Sequence, residues 1–229
     1  MVSNKRIGRI VGVLFLLQLI IGILINQFLL GPIIFTSDFL TTVSSNATQV
    51  ISSVLLGLIG SSISIAVAVL LLPIFKQLNT GVAFWYLGFS ILGFAMGLID
   101  NTNVLSILAL SQEYVQAGTT EINSFEDIGT ILYATRWWTH YLDMLVAIFA
   151  LPVFYYVLYV LKLVPRFISV WGGIGVLLML AAILFTIFDL GTHGTEMKLL
   201  VPLGLNRLFL AIWLMVKGFN SFQAPQKLI

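Results

Sequence analysis

The sequence predicts an all-α polytopic membrane protein, a transmembrane bundle of six helices with both termini in the cytoplasm. Of its 229 residues, 59% are hydrophobic and only 9% are charged, against about 25% charged in a typical globular domain. The mean hydropathy is +1.07. So few charges cannot cover the surface of a soluble protein of this length. Helices are favoured over a barrel because the aliphatic runs are long and lack the alternation of barrel strands.

Six apolar stretches are each long enough to cross the hydrocarbon core, which takes about 20 helical residues. They lie near residues 9–30, 49–75, 81–110, 131–161, 168–190 and 199–217. The first is too long for the apolar region of a signal peptide, so we expect it to be retained. Two longer polar loops are expected at 31–48 and 111–129. We therefore predict a single integral membrane domain over residues 1–229.

The orientation follows from the basic residues, which concentrate on the cytoplasmic side of membrane proteins. With the amino terminus inside, the inner segments hold Lys5, Arg6, Arg9, Lys76, Lys162, Arg166, Lys217 and Lys227. The outer loops hold Asp38, Glu113, Glu121, Glu126, Asp127 and Glu196, with Lys198 as their basic residue. This asymmetry predicts that both termini are cytoplasmic.

The composition also excludes several classes of function. The chain has no cysteine, and its histidines are His140 and His193. Thiolate zinc sites, iron–sulfur clusters and multi-histidine metal cages are therefore excluded, and we expect no metal or cofactor. No basic patch with interleaved aromatic residues supports nucleic-acid binding. No G-x-S-x-G, H-E-x-x-H or Walker motif is present, so no residue is assigned a catalytic role.

Charged and polar residues within the spans carry the functional signal. An ionisable group inside a span costs about 2.5–3.5 kcal/mol on insertion scales and usually faces the bundle interior or a cavity. Arg207 is nine residues from Lys198 and ten from Lys217, which places it near the bilayer centre beside Asn206. Asp100 lies 16 residues beyond Phe84, or about 24 Å from the inner face.

Span four presents a row of such groups. Arg136, His140 and Asp143 are spaced i, i+4, i+7 and therefore share one helix face. Most polar residues of the spans fall in their outer halves, which predicts an outward-facing polar pocket. The candidate ligand-binding residues are Arg207, Asp100, Arg136, His140, Asp143, Asn206, Gln18 and Asp189.

Two interpretations of these charges stay open. In the first, Arg207 and Arg136 bind an anionic group, and Asp100 and Asp143 act as partners or proton carriers. In the second, the charges form structural ion pairs, Arg207 with Asp100 and Arg136 with Asp143 or Asp189. Pairing of this kind offsets the burial penalty without any ligand.

Three functions are compatible with this pattern. The first is a non-enzymatic membrane protein that holds a small molecule or ion, as a transporter-like or sensor component. The second is a membrane-embedded enzyme acting on a lipid or prenyl group, with His140 and Asp143 as an acid–base pair. The third is an assembly or immunity-type protein that works through its helix faces. The lipid bilayer is a partner in all three.

Small residues mark helix contacts. Gly8 and Gly12, and Gly93 and Gly97, have the G-x-x-x-G spacing that lets helices approach closely in lipid. They fit either packing within one bundle or the face of a homo-oligomer, and the sequence leaves both open.

Other glycines and prolines predict irregularities. Pro73 and Pro152 are expected to end or kink their helices. Gly172, Gly173 and Gly175 are expected to loosen the start of span five.

Four segments carry a family resemblance. They are RIGRIVGVLFLLQLIIGI (6–23), LSQEYVQAG (110–118), KLVPRFISVWGGIG (162–175) and LAIWLMVKGFN (210–220). They resemble recurring segments of the mainly bacterial membrane proteins catalogued as domain of unknown function 4386. The resemblance implies a six-span helical protein of a bacterial cytoplasmic membrane, and it supplies no substrate because the activity of that family is not established.

Overall fold

The structure, a computed structural model, describes residues 4–117, 122–190 and 195–220, with side chains at all of these except 122 and 195–197. Every regular element in these ranges is helical, and six helices are long and apolar enough to cross a membrane. The predicted fold class and number of spans are therefore confirmed. The helices are α1 (Asn4–Ile23), α2 (Gly31–Ile34), α3 (Phe39–Ser45), α4 (Ala47–Phe75), α5 (Thr80–Gln116), α6 (Ile122–Val160), α7 (Arg166–Ile187) and α8 (Thr195–Lys217), with a π-helical segment at Leu24–Leu29.

The two longest helices overturn one predicted loop. Helix α5 has 37 residues and α6 has 39, so at about 1.5 Å per residue each exceeds the roughly 30 Å core by some 25 Å. The predicted loop 111–129 is mostly wrong, since α5 continues to Gln116 and α6 begins at Ile122. Hydropathy marks only the part of a helix inside lipid, and Glu and Gln continue a helix readily into water.

The other predicted loop, 31–48, also contains helices. The short α2 and α3 bury Ile33, Ile34 and Val43 against residues of α4 and α5, among them Val50 and Ile107. These apolar contacts hold the segment 31–48 in a regular structure, although its content of Ser, Thr and Asn predicted an irregular loop.

The first span changes its helical pitch before α2. The Leu30 amide donates to the Ile25 carbonyl five residues earlier, at 2.7 Å, which is the π-helical pattern. From α4, Gln49 donates through Nε2 to the carbonyls of Phe28 and Leu29, at 2.9 and 3.0 Å. A side chain on α4 therefore satisfies backbone groups that the end of the span leaves without a helical partner.

Neither proline is the last residue of its helix, and the kink expected at each stays a prediction. Pro73 lies inside α4, and α6 continues past Pro152 to Val160. Proline is tolerated within membrane helices because neighbouring groups can satisfy the carbonyl that loses its amide partner.

The chain forms two compact units, each built from several separate segments. Unit 1 comprises Met1–Leu19, Ile63–Gly93 and Met144–Ile229, and unit 2 comprises Ile20–Ser62 and Phe94–Asp143. Their charges differ sharply, because ten of the eleven Lys and Arg residues belong to unit 1 and only Arg136 belongs to unit 2. The acidic residues of unit 2 are Asp38, Asp100, Glu113, Glu121, Glu126, Asp127 and Asp143.

Two predicted packing glycines contact α8 within unit 1. A Cβ at Gly8 would overlap the backbone of Phe219, and one at Gly12 would lie 2.8 Å from the Ala211 carbonyl oxygen and the Met215 nitrogen. This first G-x-x-x-G pair therefore packs within the chain. The second pair is divided, since Gly97 faces Ser61 whereas Gly93 faces open space.

Candidate functional site

Helices α5 and α6 bring four polar side chains together in unit 2, which we call the Asp100–Arg136 cluster: Asp100, Asn103, Arg136 and Thr139. Each helix contributes two residues at i, i+3 spacing and so from one face. Arg136 Nε lies 3.9 Å from Asp100 Oδ1. Asn103 Nδ2 donates to Thr139 Oγ1 at 3.0 Å. The Thr139 hydroxyl lies 3.4 Å from Asp100 Oδ1 and 2.9 Å from its own helix's Arg136 carbonyl, so these two acceptors share its one proton.

The ion pair in this cluster is loose. The side chains of Arg136 and Asp100 are 12% and 21% exposed, yet 3.9 Å is too long for a hydrogen bond. The Nε atom of Arg136 is shielded from solvent and has no hydrogen-bond partner among the described residues. A buried donor left without an acceptor costs about 1–3 kcal/mol, and more when it is charged. The cluster therefore holds a cationic N–H that an additional acceptor would stabilise.

The structure gives Arg136 a different partner from the one predicted. We expected the structural ion pair of Arg136 to involve Asp143 or Asp189, but its carboxylate partner is Asp100. Asp143 is half-buried and His140 is exposed. Arg136, His140 and Asp143 all lie within α6, and Asp100 of α5 supplies the carboxylate within 4.0 Å of Arg136.

Arg207 lies in unit 1 against aromatic rings. Its guanidinium carbon is 4.8 Å from the centre of the Phe15 ring, a distance typical of a cation–π contact. Within the described part of unit 1, no carboxylate oxygen lies within 4.0 Å of Arg207. The ring of Phe15 therefore stabilises this cation inside its own unit.

Asn206, next to Arg207, joins three helices. It is fully buried, at 0% exposure. Its Oδ1 accepts a hydrogen bond from the Tyr155 hydroxyl of α6 at 2.8 Å, and its Nδ2 donates to the Ile168 carbonyl of α7 at 2.9 Å. Such bonds between membrane helices contribute about 0.6–2 kcal/mol each. These contacts give Asn206 a part in holding α6, α7 and α8 together.

Gln18 and Asp189 are the remaining candidates. Gln18 donates to Ser64 Oγ at 2.7 Å, which links α1 to α4 within unit 1. Asp189 is exposed, just beyond the end of α7. His193, the second histidine, lies outside the described residues. Among the residues described, no group of three or more His, Cys, Asp or Glu side chains could hold a metal ion.

Two kinds of site residue were missed from the sequence. Thr139 joins the cluster because it lies three residues after Arg136, so helical spacing alone could have identified it. Phe15 and Tyr155 carried no such signal, since an aromatic residue in an apolar span usually packs in the core. Only the rotation of their helices turns them toward Arg207 and Asn206.

The helical fold, the apolar spans and the buried charges define a multi-pass membrane protein. A family model, described as Domain of unknown function (DUF4386), matches residues 10–218, and the chain belongs to this family. No curated protein and no solved structure matches the chain. The family that the four sequence segments indicated is thus confirmed, and its model covers most of the sequence.

Proposed function

We propose that this protein binds a small polar molecule or ion at the Asp100–Arg136 cluster, as a transporter-like or sensor component of a membrane. The observation that carries the proposal is the shielded Nε–H of Arg136, which has no acceptor among the described residues. A ligand atom that accepts this hydrogen bond would remove the penalty of leaving a charged donor unpaired.

The surrounding charges favour a zwitterion over a simple anion. Arg136 is the only Lys or Arg residue of unit 2, and the carboxylates of Asp100 and Asp143 lie on the same two helices. An anion at Arg136 would be repelled by these carboxylates. A molecule with one acidic and one basic group would place its anionic end at Arg136 and its cationic end toward Asp143, with both charges compensated.

The proposal includes an orientation. The concentration of Lys and Arg in the segments assigned to the inside supports cytoplasmic termini. Helix α5 then begins near the inner surface, and Asp100, 20 residues after Thr80, lies about 30 Å along it. The cluster would therefore open toward the outer side, in a bacterial cytoplasmic membrane.

The proposal is tested by ligand-induced stabilisation of the purified protein in nanodiscs. The probes are glycine, β-alanine, taurine and glycine betaine, with acetate and methylamine as singly charged controls. We expect at least one zwitterion to raise the melting temperature, because a ligand at ten times its Kd stabilises the folded state by about 1.4 kcal/mol. Arg136→Lys is expected to abolish most of this shift. Lysine keeps a positive charge beside Asp100, but it lacks the guanidinium Nε–H that would donate a hydrogen bond to the ligand.

Arg9→Gln is the matched control. Arg9 is exposed on α1 and donates to the Val216 carbonyl at 3.4 Å, so its loss removes one positive charge far along the chain from the cluster. This variant should keep the full ligand shift. No stabilisation by any zwitterion, or the same shift in Arg136→Lys, would contradict the proposal.

A further inference from the structure

A separate cleft lies in unit 2, where the start of α3 meets the end of α5 and the first turns of α6. Its volume is about 290 Å³, and its lining includes Asp38, Phe39, Tyr114, Glu126 and Thr130. This is close to the lower limit of about 300 Å³ for typical small-molecule pockets. The cleft has room for a ligand of a few carbon atoms.

The electrostatics of the cleft select a cation. Asp38 and Glu126 both line it, and neither lies within 4.0 Å of a basic side chain in the described part of the chain. The nearest basic residue along α6 is Arg136, six residues beyond Thr130, or about 9 Å along the helix. A concave site lined by carboxylates in an acidic unit raises the local concentration of cations.

Two aromatic residues of the lining indicate which class of cation the cleft would bind. The Phe39 ring packs on Tyr133 with 5.6 Å between ring centres, and the Tyr114 ring packs on Phe125 at 6.3 Å. Each of these neighbours therefore packs against the ring of one lining residue. An aromatic ring attracts a cation within about 6 Å of its centre, and methylated ammonium groups are the usual ligands of such sites. A metal ion is a poorer fit, because the described residues offer no set of three metal-binding side chains.

We infer that this cleft binds a small organic ammonium ion of about the size of choline. The carboxylates of Asp38 and Glu126 compensate its charge, and the rings of Phe39 and Tyr114 contact its methyl groups. This site stands on the cavity and its own lining, and does not depend on ligand binding at the Asp100–Arg136 cluster.

The inference is tested by isothermal titration of choline into the full-length protein in nanodiscs. The neutral control ligand is 3,3-dimethylbutanol, which has the shape of choline without its charge. We expect choline to bind and the alcohol not to bind. Glu126→Gln is expected to weaken choline binding by about threefold or more, as loss of one partly exposed charge contact predicts. Tyr114→Leu should weaken it by a similar factor, because leucine keeps apolar bulk without the ring quadrupole.

Asp127→Asn is the matched control for charge. Asp127 is exposed and adjacent to Glu126 but is not part of the lining, so it should leave the choline affinity within twofold of the wild type. Arg136→Lys should also leave it unchanged. The inference is overturned if choline does not bind, if the alcohol binds equally well, if Asp127→Asn weakens binding as much as Glu126→Gln, or if Arg136→Lys abolishes it.

Discussion

Gly172→Ala is expected to destabilise the folded protein by about 2–3 kcal/mol, the upper part of the range of about 1–3 kcal/mol for overpacked cores. A Cβ at Gly172 would overlap the ring of Tyr155, which is only 2% exposed. The ring cannot turn away freely, because its hydroxyl donates to the buried Asn206. The added methyl group therefore disturbs both the packing of α7 on α6 and the hydrogen bond that connects α6 with α8.

Gly173→Ala is the matched control for this change. A Cβ at Gly173 meets no atom within 4 Å, and alanine is the better helix former by about 1 kcal/mol. Unfolding in mixed micelles of SDS and dodecylmaltoside would compare the two variants. Equal stabilities would contradict the packing role of Gly172. Gly172 thus serves close contact, and the loosening expected at Gly173 stays a prediction.

Gly12→Ala is expected to lower the free energy of unfolding by about 2 kcal/mol, since extra carbon in a tight contact forces backbone movement. Its Cβ would lie 2.8 Å from two backbone atoms of α8 and 2.9 Å from the Cβ of Leu214. Backbone atoms cannot rotate aside as a side chain can. Helix α1 would have to move away from α8 to admit the methyl group.

The control on the same helix is Gly22→Ala, where a Cβ meets nothing within 4 Å. The same micellar unfolding assay should find this variant at least as stable as the wild type, by up to about 1 kcal/mol, because alanine is the better helix former. Light scattering gives the oligomeric state of both variants. A Gly12→Ala protein of unchanged stability that dissociates from a dimer would contradict the packing of Gly12 within one chain.

The membrane spans were predictable because each is identified by the summed hydropathy of many residues. Each needs only an apolar run of sufficient length, and no single residue decides it. The helix ends were less predictable, because hydropathy does not detect the part of a helix that continues beyond the lipid into water. The Glu and Gln residues near Gln116 looked like a loop on hydropathy alone, although they favour helix. Burial of Ile33 and Ile34 depends on contacts with distant residues and has no local signal.

The cluster was predictable in its members and less so in its pairing. The cost of charge in lipid singled out Asp100 and Arg136, and helical spacing placed Arg136, His140 and Asp143 on one face. Which carboxylate meets Arg136 depends on how α5 and α6 are rotated about their axes. The sequence predicted Asp143 or Asp189 as this partner, but the structure turns Asp100 of α5 toward the guanidinium instead.

The double variant Asp100→Asn/Arg136→Gln separates a ligand site from a structural ion pair. It removes both charges together and leaves no uncompensated ion, so the protein should fold with a melting temperature close to the wild type. The decisive measurement is the melting-temperature shift of this variant with the zwitterion that stabilises the wild type most. If Arg136 and Asp100 bind the ligand, the folded double variant shows no shift. A shift as large as that of the wild type would contradict ligand binding at this cluster.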